Sequence, residues 1–263
     1  MGDTTAPSRR TPRCLLLGSG EFEPWAGPAE VASLASATGD GTVAILATAS
    51  APEGEATFGR WNEMGLAHFR NLGVPAQALP VRGRADAERP GNAAAVADAS
   101  LIFFSGGNPE FLARTLKESL LWQTILGALE RGAVFGGCSA GAMVAGTSRH
   151  SGPARGRFRF SGGLDLCPGD VFGVHWDSAF MRVLRPALIG RVPAGCRLIG
   201  IAERTAILAD GPAWRVYGHG VVEVRDGRIR RSYHAGEIIP SGPQGAADLK
   251  PGAVSRETSD DIG

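Results

Sequence analysis

The chain has 263 residues, of which 43% are hydrophobic and 20% charged, so one large domain with a sizeable core is expected. The formal net charge is +1, and nothing in the sequence indicates the concentrated basic face that a nucleic-acid or membrane surface needs, so neither partner is expected. No run approaches the roughly 20 apolar residues of a membrane span, and no signal peptide is expected. The spacing of the four cysteines fits neither a zinc site nor a disulfide framework, so we expect reduced thiols and a cytoplasmic location.

Four short apolar runs between residues 14 and 135 predict buried strands. They cover residues 14–17, 42–47, 101–104 and 133–135, and each ends in small or turn-forming residues. Strands that are apolar on both faces are typical of parallel sheets covered by helices. The pattern predicts an α/β three-layer sandwich with a mostly parallel central sheet, whose ligand site lies at the carboxyl ends of the strands.

Helical segments with recognisable start and stop signals separate these strands. One helix is expected over residues 28–38. Another starts after Asn108, whose side chain suits an N-cap, with Pro109 in the first helical position. A third helix, around residues 122–130, is expected to end near Gly132.

The pattern changes after about residue 195, where short strands and tight turns follow one another. The predicted strands are residues 198–201, 205–208, 215–217, 221–225 and 228–233. Asp226-Gly227, between the last two, is a strong hairpin signal. We expect these strands to extend the central sheet as antiparallel edge strands. The folded part is then a single domain over residues 13–240, between disordered tails at 1–12 and 241–263.

Residues 137–141 read G-C-S-A-G and lie between an apolar strand and a run of small residues suited to a helix. A G-x-S-x-G in that setting is typical of a nucleophile elbow, where the chain turns sharply from strand into helix. A side chain at Gly137 or Gly141 would clash inside the turn, and Ser139 forms its tip. We therefore predict Ser139 as the nucleophile of a hydrolase, with Cys138 as its rival.

A nucleophilic serine needs a neighbouring base, and the base needs an orienting acceptor. The histidines available are His68, His150, His175, His219 and His234. Position favours His175, because it directly follows an apolar run at residues 171–174. His68 is expected in a helix and His150 in a loop.

Position just after an apolar run also favours one candidate for the orienting acceptor. Glu203 lies just past the apolar run at residues 197–201, near the expected end of a strand. Asp170 and Asp177 are rival acceptors. For each of the three acids, a solvated turn residue without a catalytic role is the alternative.

The oxyanion hole of an elbow enzyme needs two N–H donors. The residue after the nucleophile, here Ala140, usually supplies one of them. Gly106 or Gly107 is expected to supply the second, because paired glycines at the end of a neighbouring strand let the backbone approach a substrate closely.

Five segments are informative as an ordered set. They are T-A-S at residues 48–50, F-S-G-G-N at 104–108, G-G-C-S-A-G-A at 136–142, V-H-W at 174–176 and G-I-A-E-R-T-A at 200–206. Together they resemble the cyanophycinase and dipeptidase E family of serine peptidases, whose fold is similar to that of class I glutamine amidotransferases. The resemblance covers about residues 14–225 and implies a flavodoxin-like arrangement of the central sheet.

The resemblance implies a catalytic arrangement of Ser139, His175 and Glu203, with the backbone of Gly107 as the second oxyanion donor. Three neighbouring positions are assigned to substrate binding: Gly106, Asn108 and Trp176. The expected reaction is cleavage of an amide bond in a small peptide or isopeptide with an acidic residue. Neither a metal ion nor an organic cofactor is expected, and a homodimer is one expected assembly.

Two other functions stay open. Ala202 stands where the family has an aspartate, so its substrate specificity does not carry over, and a non-catalytic small-molecule-binding protein on the same fold is one alternative. A Cys138-dependent, amidotransferase-like enzyme is the other.

Four arginines follow the elbow: Arg149, Arg155, Arg157 and Arg159. They are expected either to lie in a solvated loop or to bind an acidic substrate.

Overall fold

The computed structural model describes residues 12–150, 158–210 and 213–240 of the chain. The α-helices in these ranges are α1 Gly27–Ser36, α2 Glu55–Asn71, α3 Arg84–Ala87, α4 Pro90–Ala97, α5 Pro109–Leu116, α6 Leu120–Arg131, α7 Ala140–Ala145 and α8 Ala179–Ile189. The strands are β1 Arg13–Leu17, β2 Val43–Leu46, β3 Ala76–Ala78, β4 Leu101–Phe104, β5 Val134–Cys138, β6 Ser148–His150, β7 Phe160–Gly162, β8 Asp170–Gly173, β9 Arg197–Ile201, β10 Thr205–Asp210, β11 Ala213–Gly218, β12 Val222–Asp226, β13 Ile229–Tyr233 and β14 Ile238–Pro240. Short 3-10 helices cover Pro24–Ala26 and Thr48–Glu53. The predicted tails lie outside the described residues, apart from residue 12.

An eight-stranded sheet forms the centre of the fold, in the order β14-β11-β10-β1-β5-β4-β2-β3. The five strands from β1 to β3 in that order are mutually parallel, and β10, β11 and β14 add an antiparallel edge beside β1. β2, β4 and β5 are buried at every position, as their continuous apolar runs predict. The mostly parallel α/β sheet and the antiparallel strands toward the C-terminus are both confirmed.

Helices cover both faces of this sheet, because successive side chains of a strand point to opposite sides. Phe103 packs edge-on against Phe69 of α2 on one face, with 6.3 Å between ring centroids. The next residue, Phe104, stacks on Phe135 on the other face at 5.3 Å. α1 and α2 contribute to the first apolar cluster, and α4, α5, α6 and α7 contribute to the second. These clusters make the fold a three-layer sandwich.

A second, four-stranded sheet in the order β13-β12-β9-β8 is the main departure from the sequence prediction. Only β10, β11 and β14 extend the central sheet, so the expectation that all the late strands do so was wrong for β9, β12 and β13. The turn at residues 202–204 separates the two sheets, and Arg204 in it has a φ of +49°. Alternation along a strand shows which faces are buried and does not show which strand it pairs with.

The predicted start of α5 after Asn108 and the predicted end of α6 near Gly132 are both present in the structure. The Asn108 side chain accepts a hydrogen bond from the N–H of Phe111 at 3.0 Å, and Gly132 ends α6 with a φ of +108°. His150 is a correction: it lies buried on β6, which pairs with β7, and not in a loop. Among the described residues, no helix has both the length and the apolar character needed to cross a membrane.

Candidate active site

The elbow places Ser139 at the end of β5, directly before the first residue of α7. Ser139 has a φ of +49° and a ψ of −106°, a backbone conformation that costs free energy and is typical of functional sites. The neighbouring glycines make the turn possible. A Cβ atom on Gly137 would lie 2.5 Å from the backbone of Gly141, and one on Gly141 would lie 2.3 Å from the carbonyl oxygen of Phe104.

Three side chains from separate parts of the sequence meet at this turn. The Oγ of Ser139 lies 3.1 Å from Nε2 of His175, and Nδ1 of His175 lies 3.2 Å from Oε1 of Glu203. Ser139 follows β5, His175 comes shortly after β8, and Glu203 lies in the turn after β9. The structure thus brings together a hydroxyl, an imidazole and a carboxylate in the order that nucleophile, base and orienting acceptor require.

His175 is held by the backbone around it. Its φ of +51° is unusual for a residue with a side chain, and its N–H donates to the carbonyl of Gly18 at 3.3 Å. The next N–H, that of Trp176, donates to the carbonyl of Ile201 at 3.1 Å. The loop that carries His175 is therefore fixed to the carboxyl ends of both β1 and β9.

The rival acids serve other partners. The carboxylate of Asp177 accepts the backbone N–H of Glu203 at 2.8 Å, so Asp177 holds the turn from which the Glu203 side chain reaches His175. Asp170 is buried and forms a bidentate pair with Arg197 at 2.8 and 2.9 Å. Burial raises the pKa of the Asp170 carboxyl above its usual value, against the hydrogen bonds and charge of Arg197. Neither rival takes the position that Glu203 occupies beside His175.

The two glycines after β4 are not equivalent. A Cβ on Gly106 would lie 3.5 Å from Cβ of Ser139, so this turn packs against the elbow. The N–H of Gly106, however, donates to Oε1 of Glu21 at 2.8 Å and is therefore occupied. Gly107 is exposed, with a φ of +137°, and a Cβ there would lie 2.4 Å from the backbone of Ala49. Of the two donors that the sequence left open, the geometry favours Gly107.

Cys138 is poorly placed to act as the nucleophile. Its side chain is fully buried, and its thiol donates to Oε2 of Glu21 at 2.8 Å. Burial, together with the negative charge of Glu21, raises the pKa of the Cys138 thiol well above its usual value. The thiolate needed for attack is therefore strongly disfavoured, whereas the hydroxyl of Ser139 faces a histidine.

The remaining site residues have structural roles as well as predicted ones. Asn108 caps α5, and Trp176 is only 3% exposed. The indole of Trp176 covers Gly200 of β9, and the guanidinium of Arg185 lies 5.4 Å from its ring centroid. Substrate contact by Asn108 and Trp176 stays a prediction.

Of the four arginines after the elbow, Arg149 contradicts the expectation of a solvated loop, whereas Arg159 is exposed just before β7. Arg149 is buried on β6, and its guanidinium donates to Glu110 at 2.8 Å. Arg155 and Arg157 lie outside the described residues. The sequence reasoning missed Glu21 and the supporting role of Asp177. Glu21 carries one signal in retrospect, since it follows an apolar strand and a glycine-rich turn, as Ser139 does.

Comparisons with known proteins agree on one family. The family-wide sequence model of peptidase family S51 matches residues 15–216. A cyanophycinase of Synechococcus elongatus and one of Thermosynechococcus vestitus are each 32% identical over 170 residues, covering 61% of this chain and 52% of the relative. The chain thus spans about half the length of these curated relatives.

Solved structures give the same picture for the fold. The crystal structure of a peptidase from an acI-B1 Actinobacterium matches with a TM-score of 0.80 at 30% identity, over 88% of this chain and 98% of that one. A putative peptidase E protein from Listeria monocytogenes EGD-e matches with a TM-score of 0.59 at 18% identity, over 80% and 99% of the two chains. The second match bears on the fold alone.

Proposed function

The chain belongs to peptidase family S51, and from that membership we propose that it is a serine peptidase that cleaves an amide bond in a small peptide or isopeptide. The observation that carries the proposal is the line of hydrogen-bonding distances from Ser139 through His175 to Glu203. Both links lie within the reach that proton transfer requires.

The proposed first step is acylation of Ser139. Glu203 accepts the Nδ1–H of His175, which leaves the lone pair of Nε2 directed at the serine hydroxyl. Nε2 takes the hydroxyl proton as Oγ attacks the carbonyl carbon of the substrate. The N–H groups of Ala140 and Gly107 bind the oxyanion of the tetrahedral intermediate. His175 then passes its proton to the leaving amine, and the C–N bond breaks.

Deacylation repeats these roles with water. His175 removes a proton from a water molecule, the hydroxide attacks the acyl carbon, and the bond to Oγ breaks as Ser139 regains its proton. Glu203 stabilises the positively charged imidazole that exists in both halves of the cycle. The side chains of His175 and Glu203 are 40% and 48% exposed, which is consistent with access for water and for a small substrate.

We extend the proposal to substrates with an acidic residue, on the strength of the family resemblance alone. We also place the enzyme in the cytoplasm, since the four cysteines are unbridged and three of them are buried. A homodimer is a further expectation that size-exclusion chromatography with light scattering would check.

The experiment that tests the function is turnover of a defined peptide pool. Short dipeptides with acidic residues, matched β-aspartyl isopeptides and neutral dipeptides are incubated with the wild-type protein and with Ser139→Ala, and products are quantified by mass spectrometry. We expect cleavage by the wild type and a loss of at least about a thousandfold in Ser139→Ala. Near-wild-type turnover by Ser139→Ala would refute the mechanism. Ligand binding by the wild type without turnover would favour a binding protein.

A further inference from the structure

Glu21 is a buried carboxylate that the mechanism above does not use. It lies in the turn after β1, it is only 5% exposed, and its neighbours Gly20 and Phe22 both have positive φ values, of 71° and 65°. A carboxylate is costly to bury unless its oxygen atoms accept hydrogen bonds. The burial of Glu21 behind the elbow therefore requires hydrogen-bond donors close to its carboxylate.

Each oxygen of Glu21 has a donor, and the donors come from the two segments of the proposed oxyanion hole. Oε1 accepts the N–H of Gly106 at 2.8 Å, and Oε2 accepts the thiol proton of Cys138 at 2.8 Å. Gly106 directly precedes Gly107, the proposed donor on the β4 side. Cys138 lies two residues before Ala140, the proposed donor on the elbow side. One side chain thus connects both halves of the hole.

The β4 side needs such an anchor because two consecutive glycines form it. The N–H of Ser105 donates to Leu46 at 3.2 Å and the N–H of Asn108 donates to Ala49 at 2.8 Å, which fixes the two ends of the turn. The N–H groups of Gly106 and Gly107 lie between these ends, and the bond from Gly106 to Glu21 fixes the Ser105–Gly106 peptide unit, one unit before the peptide that carries the Gly107 N–H. Glycine has the widest choice of backbone conformations, so this bond removes freedom where a donor must be aimed.

We infer that Glu21 is a positioning residue for the oxyanion hole, which holds the Gly106–Gly107 turn against the elbow that carries Ser139 and Ala140. The inference rests on the proposed function, because it assigns Glu21 a task in that same site. Glu21 acts through the backbone and touches neither the substrate nor the reacting atoms. For holding the turn in place, the length of the Glu21 side chain, which spans the two segments, matters more than its charge.

Three substitutions separate the effect of side-chain length at position 21 from the effect of its charge. Glu21→Gln keeps the length and an oxygen that accepts from Gly106, and its amide can donate to the Cys138 sulfur. Glu21→Asp keeps the charge but is one methylene shorter, so it cannot serve two donors that already lie 2.8 Å from the glutamate. Glu21→Ala loses both. The readout is the second-order rate constant for labelling of Ser139 by a fluorophosphonate, followed by intact-mass spectrometry at a temperature where each variant is folded.

A second buried carboxylate provides the matched control. Glu30 in α1 is fully buried and hydrogen-bonds to His68 instead of to Gly106 or Cys138, although its negative charge, like that of Glu21, acts on the Cys138 thiol. Glu30→Ala therefore reproduces the loss of a nearby buried negative charge and of its hydrogen bond, without removing a hydrogen bond from either segment of the oxyanion hole. We expect it to lose stability and to label at the wild-type rate.

We expect Glu21→Ala and Glu21→Asp to label roughly ten- to a hundredfold more slowly than the wild type, and Glu21→Gln to stay within about fivefold of it. Equal rates for Glu21→Ala and Glu30→Ala would overturn the inference and leave the proposed function standing. A slow Glu21→Gln beside a fast Glu21→Asp would overturn it as well, since charge would then be what matters. A wild-type protein that is not labelled at all would refute the proposed function and, with it, this role for Glu21.

Discussion

Gly141→Ala is the substitution whose effect follows most directly from the packing of the elbow. The added Cβ would lie 2.3 Å from the carbonyl oxygen of Phe104 and 3.0 Å from its Cβ, whereas ordinary contact begins at 3.4 Å. Backbone of β4 cannot swing aside as the end of a flexible side chain can. The first turn of α7 must therefore move by about 1 Å.

That displacement has two measurable consequences. Overpacking of this kind typically costs about 1–3 kcal/mol, which urea unfolding would detect. The shifted turn also carries Ser139 and Ala140, and a misplacement of about 1 Å can lower a rate roughly a hundredfold. We expect fluorophosphonate labelling of Gly141→Ala to slow by about that factor.

Gly59→Ala in α2 is the matched control, since nothing lies within 4 Å of a Cβ at that position. Alanine is a better helix former than glycine, so this variant should be more stable by about 0.5–1 kcal/mol and should label at the wild-type rate. If Gly141→Ala matched the wild type in both labelling and unfolding free energy, the close approach of the elbow to β4 would be refuted.

Three further predictions concern single side chains. Glu203→Gln keeps the shape of the acceptor but removes the charge that stabilises the imidazolium. For a peptide that the wild type cleaves, kcat/KM should therefore fall roughly a hundredfold or more. An unchanged kcat/KM would argue against Glu203 as the acceptor. Iodoacetamide should alkylate the partly exposed Cys196 of the native protein before the buried Cys138, whose thiol has a raised pKa, and peptide mapping that finds the reverse order would contradict the burial described. Burial alone would raise the pKa of Glu223, but the hydrogen bonds and charges of Arg225 and Arg230 hold that pKa below its usual value of 4.5. The contacts with these two arginines therefore stabilise the fold above about pH 4.5, and the stabilisation is lost as the pH falls through the lowered pKa. In urea unfolding, Glu223→Gln should lose less stability on acidification than the wild type. An equal loss would refute the assignment.

Much of the candidate site could be read from the sequence because its parts carry local signals. The apolar run before Gly137 and the small residues after it predict a strand, a sharp turn and a helix, and the structure shows all three. Position favours His175 and Glu203 because each lies near the end of an apolar run, and the family resemblance implies the same two residues. β8 and β9 lie parallel in the second sheet, so their carboxyl ends place His175 and Glu203 close together. The hydrogen bond from His175 N–H to Gly18 then joins this edge to the end of β1, the strand beside β5, and so to Ser139.

The parts that the sequence did not predict depend on long-range pairing. Nothing local distinguishes β9, which joins the second sheet, from β10, which joins the central one, because both are short and apolar. The same holds for Glu21, whose partners Gly106 and Cys138 are 85 and 117 residues away in the chain. A buried acid is recognised only when the donors around it are known.

The most direct test of the proposed catalytic serine is to identify the residue that a fluorophosphonate modifies. Wild-type protein, Ser139→Ala and His175→Ala are incubated with the probe, measured as intact proteins, and digested to locate the adduct. We predict a single adduct on Ser139 in the wild type, absent from Ser139→Ala and strongly reduced in His175→Ala, because the hydroxyl is activated only beside that imidazole. An adduct on another residue, or equal labelling of wild type and His175→Ala, would contradict the assignment of Ser139 and His175 as nucleophile and base.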